Sequence, residues 1–268
     1  MRLAVLGSPI AHSRSPELHL AAYRVLGLDW EYTREEVDDA QLAGFLGGLG
    51  PEWRGLSLTM PLKRRVAELV PEVDEVARRT RQGNTILLDR GRAVRAFNTD
   101  VHGIVAAFAG AGVSSARRAT VLGGGATAES AAVALTSLGA EVTVAVRDVP
   151  KVRAAGTFAA HRVVALGPDA DAALGDSDAV VSTIPPRAEF PVELPPLAPE
   201  RTLLDVAYAP WPTPLAAAWT TAGGRVVHGL EMLLHQAVHQ IRIFVAGDPA
   251  VVLPEEAAVI EAMRSAVE

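Results

Sequence analysis

Four short segments near the start of the chain gather polar side chains: Ile10-Ala-His-Ser-Arg-Ser-Pro16, Gly55-Leu-Ser-Leu-Thr-Met-Pro-Leu-Lys63, Gly83-Asn-Thr85 and Asn98-Thr-Asp100. Each lies at the end of an apolar run that reads as a strand, where α/β sheets place their ligands. Each also has a plain local role. Ser15 reads as a helix cap, Lys63 as a first-turn lysine, Asn84 as a turn residue and Asp100 as the N-cap of the next helix.

A fifth segment, Thr120-Val-Leu-Gly-Gly-Gly-Ala-Thr-Ala, is a strand running into G-x-G-x-x-A, with Gly123, Gly125 and Ala128 at the three positions. Gly123 permits a tight turn, Gly125 lets the backbone approach a pyrophosphate, and Ala128 allows close helix–strand packing. The alanine-rich helix that follows presents its first N–H groups to phosphate oxygens. Gly123, Gly124, Gly125 and Ala126 are the expected backbone contacts; the alternative is a glycine turn in an empty βα unit. After the strand Glu141–Val146 come Arg147, Asp148, Lys151 and Arg153. An acidic residue at that strand tip suits the ribose hydroxyl of NAD, whereas arginine suits a 2′-phosphate. Arg147 with Lys151 therefore favours NADP, Arg147 as a solvated loop cation being the alternative. Asp148 either caps the next helix or repels a phosphate.

Positioning these residues requires alternating strands and helices, the pattern of βαβ units on a mainly parallel sheet. Strands are predicted near 2–6, 30–35, 54–58, 84–88 and 93–96, with helices near 15–26, 38–48, 62–69 and 72–79. Ser15-Pro16 opens the first helix, with Ser15 as its cap. A helix near 101–111 leads into a second series, with strands near 119–122, 141–146, 162–165, 178–182, 202–206 and 225–227. Proline-rich connections at 185–198 and 209–214 read as surface loops. An amphipathic helix from Gly229 to about Ala246 carries an apolar stripe of Leu230, Leu233, Leu234, Ala237, Ile241 and Phe244, and a last helix follows Pro254.

At 268 residues the chain accommodates two small cores. A formal net charge of −6 argues against nucleic acid or an anionic membrane as partner. The absence of cysteine excludes disulfides, thiolate metal sites and a cysteine nucleophile. The apolar run at the start is too short for a signal peptide, and no stretch has the length of a membrane span, so a cytoplasmic enzyme is expected. His235 and His239 have the four-residue spacing of a zinc site, but Gln236 stands where the motif needs glutamate, and no metal is expected. His12 reads as a loop histidine and Glu231 as a first-turn charge.

In this order the segments closely resemble shikimate dehydrogenases. That family carries Ser-x-Ser-Pro, Asn-Val-Thr-x-Pro-x-Lys, Asn-Thr and Asn-Thr-Asp-Gly, then a Rossmann glycine loop. Asp-x-x-Tyr-x-Pro-x-x-Thr-x-Leu and Gly-x-x-Met-Leu-x-x-Gln follow. Here the last two are met by Asp205, Tyr208, Pro210, Thr213 and Leu215, and by Gly229, Met232, Leu233 and Gln236. The resemblance implies that Ser13 and Ser15 hold a substrate carboxylate, with Thr59 and Tyr208 nearby. It places Lys63, Asn84, Asp100 and Gln236 on the ring hydroxyls, Lys63 and Asp100 being the catalytic pair, and adds Gly229 to the cofactor contacts. The implied reaction is NADP-dependent reduction of 3-dehydroshikimate to shikimate, a step toward chorismate and the aromatic amino acids.

The implied fold is two α/β domains. Residues 1–100 with 229–268 form a substrate domain to which the C-terminal helices return, and 101–228 form a Rossmann-type NADP-binding domain, with catalysis in the cleft between. The partners implied are the small acid and, as an open expectation, a second copy of the chain in a homodimer. Three positions depart from the family pattern. Ser57 replaces asparagine, Val101-His102 separates Asp100 from Gly103, and Ser182-Thr-Ile-Pro-Pro-Arg187 replaces the stretch that lines the nicotinamide.

Ketone reduction needs a hydride on carbon and a proton on oxygen, with geometry and the proton supplied by protein groups. A lysine beside a carboxylate stays charged, which suits Lys63 as proton donor in the reduction direction. Three other readings compete: an NAD-using quinate/shikimate dehydrogenase, a methylenetetrahydrofolate dehydrogenase-like enzyme, and a catalytically silent NADP-binding sensor. The Ser13–Ser15 pair argues against the second, and Lys63 with Asp100 against the third.

Overall fold

The computed structural model describes residues 1–186 and 194–267. The chain divides into two compact units, Met1–Thr99 with Leu233–Glu268, and Asp100–Met232.

In the first unit, β1 (Arg2–Gly7), β2 (Glu31–Glu36), β3 (Trp53–Leu58), β4 (Glu72–Val73), β5 (Thr85–Asp89) and β6 (Arg92–Phe97) form one sheet in the order β2-β1-β3-β5-β6-β4. β1 lies inside the sheet and its Leu3, Ala4 and Leu6 are wholly buried, which explains its continuous apolar run. It pairs in parallel with β2 and β3, whereas β5 runs antiparallel to both β3 and β6. This sheet is therefore mainly parallel, as expected, with β5 alone running against the other five strands. The cause is a two-residue turn: Arg90 and Gly91 both have positive φ, 48° and 77°, the conformation of a tight hairpin, so β5 and β6 must run antiparallel.

The helices of this unit are α1 (Ser15–Val25), α2 (Leu42–Gly47), α3 (Val66–Leu69) and α4 (Glu75–Thr80). Three starts differ from expectation. Asp38 and Gln41 exchange side-chain bonds with each other's backbone N–H, so α2 begins after them rather than at 38. The segment from 62 opens as a single 3₁₀ turn, Leu62–Arg64, before α3. Glu72 and Val73 pair with β6 as a short strand, and Asp74 then caps α4 by accepting from the Ala77 N–H at 2.6 Å.

The second unit carries α5 (Asp100–Gly110), β7 (Arg118–Leu122), α6 (Ala126–Ser137), β8 (Glu141–Val146), α7 (Val149–Ala154) and β9 (Arg162–Ala165). It continues with α8 (Pro168–Asp176), β10 (Ala179–Ser182), β11 (Thr202–Asp205), α9 (Pro214–Thr221) and β12 (Arg225–His228). Its sheet is wholly parallel in the order β12-β11-β10-β7-β8-β9. Numbered within the unit this is 3-2-1-4-5-6, the doubly wound dinucleotide order, with the strand order reversing beside β7. Leu122, Ala145, Leu174, Val180, Leu203 and Trp219 make one buried cluster on this sheet.

The last helices, α10 (Gly229–Ala246) and α11 (Glu256–Ser265), carry the chain back to the first unit, α10 entering it at Leu233. There α11 lies beside α1. Residues four apart share a helix face, and α10 sets Gln236, Gln240 and Phe244 in one buried row. Phe244 reaches β3 at Gly55, where a Cβ would collide with its ring, and Arg54 Nε donates to the Phe244 carbonyl at 2.7 Å. Gly55 is therefore small so that α10 can sit close. Replacing Gly55 by Ala is expected to lower unfolding stability by about 1–3 kcal/mol through overpacking. An unchanged midpoint in a denaturant titration would contradict that fit.

Candidate active site

The loop before α1 is held at both sides. Arg34, on β2, donates from Nε and Nη2 to the Ser13 carbonyl at 2.8 and 2.5 Å, and Nη2 also meets Glu17. Arg14 reaches the Ala266 carbonyl beyond α11 at 3.3 Å. Ser15 is not the cap expected of it. It is the first residue of α1, and the Ser13 hydroxyl, two residues earlier, accepts the Ser15 N–H at 3.3 Å. Both serines are nearly buried, at 8% and 5% exposure.

Around Asn84 the first unit builds a lattice of amides and hydroxyls. The Asn84 carbonyl accepts from the Leu58 N–H at 2.8 Å and from Gln240 Nε2 at 3.1 Å. Asn84 Oδ1 accepts from the Thr99 N–H at 2.9 Å and from the Thr85 hydroxyl at 2.8 Å, and Nδ2 donates to Gln236 Oε1 at 3.2 Å. Gln236 Nε2 in turn donates to the Leu233 carbonyl at 3.0 Å. Asn84 and Gln236 are thus brought together, from segments 152 residues apart in the chain. Lys63 sits half-buried in the 3₁₀ turn, where its carbonyl accepts the Gly83 N–H at 2.8 Å, next to Asn84. Thr59 is placed by its own N–H on the Leu6 carbonyl at 2.9 Å.

Ser57 has a different partner set. Its hydroxyl accepts from Tyr32 at 2.6 Å and donates to Gln240 Oε1 at 2.9 Å, so it is absorbed into the interior. His19 completes this interior group. Its Nε2 lies 3.2 Å from Gln240 Oε1, its Nδ1 3.1 Å from the Tyr23 hydroxyl, and its ring stacks on Tyr32 at 4.0 Å. Because Oε1 can only accept, Nε2 carries the proton and Nδ1 accepts from Tyr23. Burial pushes His19 down to about 3, opposed by the Gln240 hydrogen bond, so the ring is neutral.

In the second unit Gly123 has φ 113°, a left-handed conformation, and a Cβ there would meet Thr183 Oγ1. Gly124 lies against Val146 and Val152. Among the described residues a Cβ on Gly125 would meet nothing within 4 Å, and this glycine is the cap residue of α6, which begins at Ala126. Ala128 is fully buried, as its packing role requires. This donor-rich turn with open space before it fits a pyrophosphate. Arg147 and Lys151 are exposed just beyond β8. The Asp148 carboxylate caps α7 through the Lys151 N–H at 2.9 Å, which settles its local role.

Asp205, at the end of β11, accepts from the Thr213 hydroxyl at 2.5 Å and the Ala207 N–H at 3.2 Å. Burial raises its carboxyl above the ordinary value, while those two donors pull it down. Asp205 and Thr213 thereby clamp the base of the loop that carries Tyr208. Gly229 lies against the Asp205 and Val206 carbonyls, which a Cβ would strike, so packing within its own unit already requires glycine there. Asp100, nearly buried, follows Thr99 directly and opens α5 with Val101 and His102 in its first turn. Ser182, Ile184, Pro185, Asp205, Thr213 and Leu215 line a small recess at the ends of β10 and β11. Arg187, from the divergent stretch, lies outside the described residues.

Together these features define a two-unit α/β oxidoreductase-type architecture, in which a doubly wound unit bears a dinucleotide loop and a mixed-sheet unit bears an amide–hydroxyl lattice. Residues 5–86 match the family model described as the shikimate dehydrogenase substrate binding domain. A relative from Archaeoglobus fulgidus, named shikimate dehydrogenase (NADP(+)), is 34% identical over 271 residues, covering 98% of each chain. The chain belongs to the shikimate dehydrogenase family. Among solved structures, shikimate dehydrogenase from Mycobacterium tuberculosis is 40% identical, with a TM-score of 0.81 over 98% of this chain and 99% of that one. The Thermus thermophilus enzyme in complex with NADP(H) and shikimate is 30% identical, with a TM-score of 0.84 over 99% of both.

Gln240, His19, Tyr32 and Arg34 were not reached by motif reasoning. For Gln240 a signal existed: it breaks the apolar stripe of α10 one turn after Gln236. His19 yields a pH prediction. Its folded value of about 3 lies below the ordinary 6.5, so between the two the unfolded chain binds the extra proton and stability falls as pH is lowered from 6.5. The expected slope from this group is about 1.4 kcal/mol per pH unit. Denaturant titrations near pH 7 and pH 5 should show the wild type losing more stability than His19→Asn, and equal losses would exclude a buried neutral imidazole.

Proposed function

We propose that this protein catalyses the reversible, NADP-dependent reduction of 3-dehydroshikimate to shikimate, supplying chorismate and aromatic amino acid biosynthesis. The observation that carries the reading is the likeness, over 99% of both chains, to the Thermus thermophilus structure in complex with NADP(H) and shikimate. The open space before Gly125 and the exposed Arg147 beyond β8 support a phosphate-bearing dinucleotide.

In this reading the first unit binds the acid and the second the cofactor. Ser13 and Ser15 hold the carboxylate by hydroxyl hydrogen bonds, with Thr59 and Tyr208 beside them. Asn84 and Gln236 offer amides to ring hydroxyls, and neutral amides discriminate hydroxyl positions without the desolvation cost of a charge. The bound nicotinamide supplies the hydride. Lys63 donates the proton to the carbonyl oxygen, with Asp100 as the second member of the catalytic pair. The backbone N–H groups of Gly123, Gly124, Gly125 and Ala126 carry the pyrophosphate, Arg147 and Lys151 the 2′-phosphate, and Gly229 closes the cofactor contacts. The reading extends to a cytoplasmic enzyme, with a homodimer as the assembly to be checked by sedimentation.

Purified protein is expected to oxidise shikimate with NADP far better than quinate or NAD; absence of turnover with shikimate and either cofactor overturns the proposal. Lys63→Ala should lower kcat by about 10²-fold or more with a smaller change in KM for shikimate, because a proton donor acts mainly in the transition state. Near-normal turnover would remove Lys63 from that role. Arg147→Ala should raise KM for NADP and leave that for NAD nearly unchanged, whereas equal losses would contradict the phosphate contact.

A further inference from the structure

Three amides of the first unit have their orientations dictated by main-chain groups. The Asn84 carbonyl only accepts, so the Gln240 atom 3.1 Å from it is Nε2, and Oε1 is turned to Ser57 and His19. The Thr99 N–H only donates, so the Asn84 atom 2.9 Å from it is Oδ1, and Nδ2 is turned to Gln236. The Leu233 carbonyl fixes Gln236 in the same way. Gln240 is joined to Asn84 twice. It holds the main-chain carbonyl directly, and its Nε2 also donates at 3.0 Å to the Thr85 hydroxyl, which donates onward to Asn84 Oδ1 at 2.8 Å.

Nothing in the proposed reaction requires Gln240 to touch substrate, and it is 2% exposed on the buried row of α10. We propose that Gln240 is a positioning residue that sets the hydroxyl selectivity of the site, by fixing through the Asn84 carbonyl and Thr85 the direction of the Asn84 amide. This rests on the shikimate reading given above. A residue that merely filled the core would weaken every ligand of the unit alike. One that aims a hydroxyl-binding amide weakens ligands in proportion to the hydroxyls they present. Ser57 belongs to the same device, since its hydroxyl donates to Gln240 Oε1, which accepts and has no proton to offer.

The test compares Gln240→Leu and the isosteric Thr85→Val with wild type, using shikimate and a cyclohexene carboxylate that keeps only the reacting hydroxyl. Thermal melting serves as the folding control. Gln240→Leu is expected to raise KM for shikimate about tenfold, the scale of one lost hydrogen bond, with kcat and the KM for NADP little changed and a much smaller effect on the deoxy acid. Thr85→Val should move in the same direction by a smaller factor. A wild-type KM for shikimate in folded Gln240→Leu, or equal weakening of both acids, overturns the inference and leaves the proposed function standing. If Gln240→Leu does not fold, Thr85→Val decides: unchanged selectivity between the acids overturns the inference. Wild-type protein that does not turn over shikimate overturns the function and this inference with it.

Discussion

The first unit depends on one main-chain carbonyl. Asn84 ends the approach to β5, and its carbonyl accepts at once from the Leu58 N–H at the end of β3 and from Gln240 on α10. A buried carbonyl or amide left unpaired costs about 1–3 kcal/mol, so each partner is constrained by the needs of the next. The strand that leads to Thr59 and Lys63, the turn that carries Asn84, and the helix that returns from the far end of the sequence are tied at that point. Apolar contacts around Phe244 and Gly55 bring α10 close, but they have no direction. The hydrogen bonds supply it.

The second unit rests on different physics. Its sheet is apolar and parallel, and its glycine turn sets Gly125, which has no Cβ, as the cap residue of α6. Its specific side-chain chemistry lies at strand ends, in the Asp205–Thr213 clamp and the exposed Arg147. One unit therefore holds a buried lattice of directed amides and hydroxyls. The other carries a glycine turn at a helix start, which under the proposed function holds the pyrophosphate while Arg147 selects the 2′-phosphate.

Much of this was legible in the sequence, for reasons that differ by element. The six parallel strands of the second unit follow from short apolar runs between helical patterns, and G-x-G-x-x-A locates the first of them. The first sheet is mainly parallel as read, but its one antiparallel strand, β5, was not foreseen, because Arg90-Gly91 lacks the Asn-Gly signature of a tight hairpin although the backbone adopts that turn. Ser15 was misread as a cap because serine before proline is the usual signal, and the hydroxyl that accepts its N–H belongs to Ser13. Glu72–Val73 were placed in a helix because a two-residue strand has no periodicity to detect. Motif residues such as Asn84 and Gln236 were found by resemblance, whereas Gln240 belongs to no motif and showed only as a polar break in the stripe that buries it. Burial and polarity together make such a residue informative, and composition alone reports neither. Ser57 shows the same limit: its departure from the family pattern was visible, but its absorption between Tyr32 and Gln240 needed coordinates.

The central claim is that Gln240 acts on substrate through Asn84 and by no other route. A double-mutant cycle on shikimate binding, read by calorimetry with Gln240→Leu, Asn84→Ala and the pair, tests it directly. The account predicts that the Gln240 change weakens binding in the wild-type background and costs almost nothing further once Asn84 is truncated. The same penalty in both backgrounds would show that the two residues act independently, and would contradict the account.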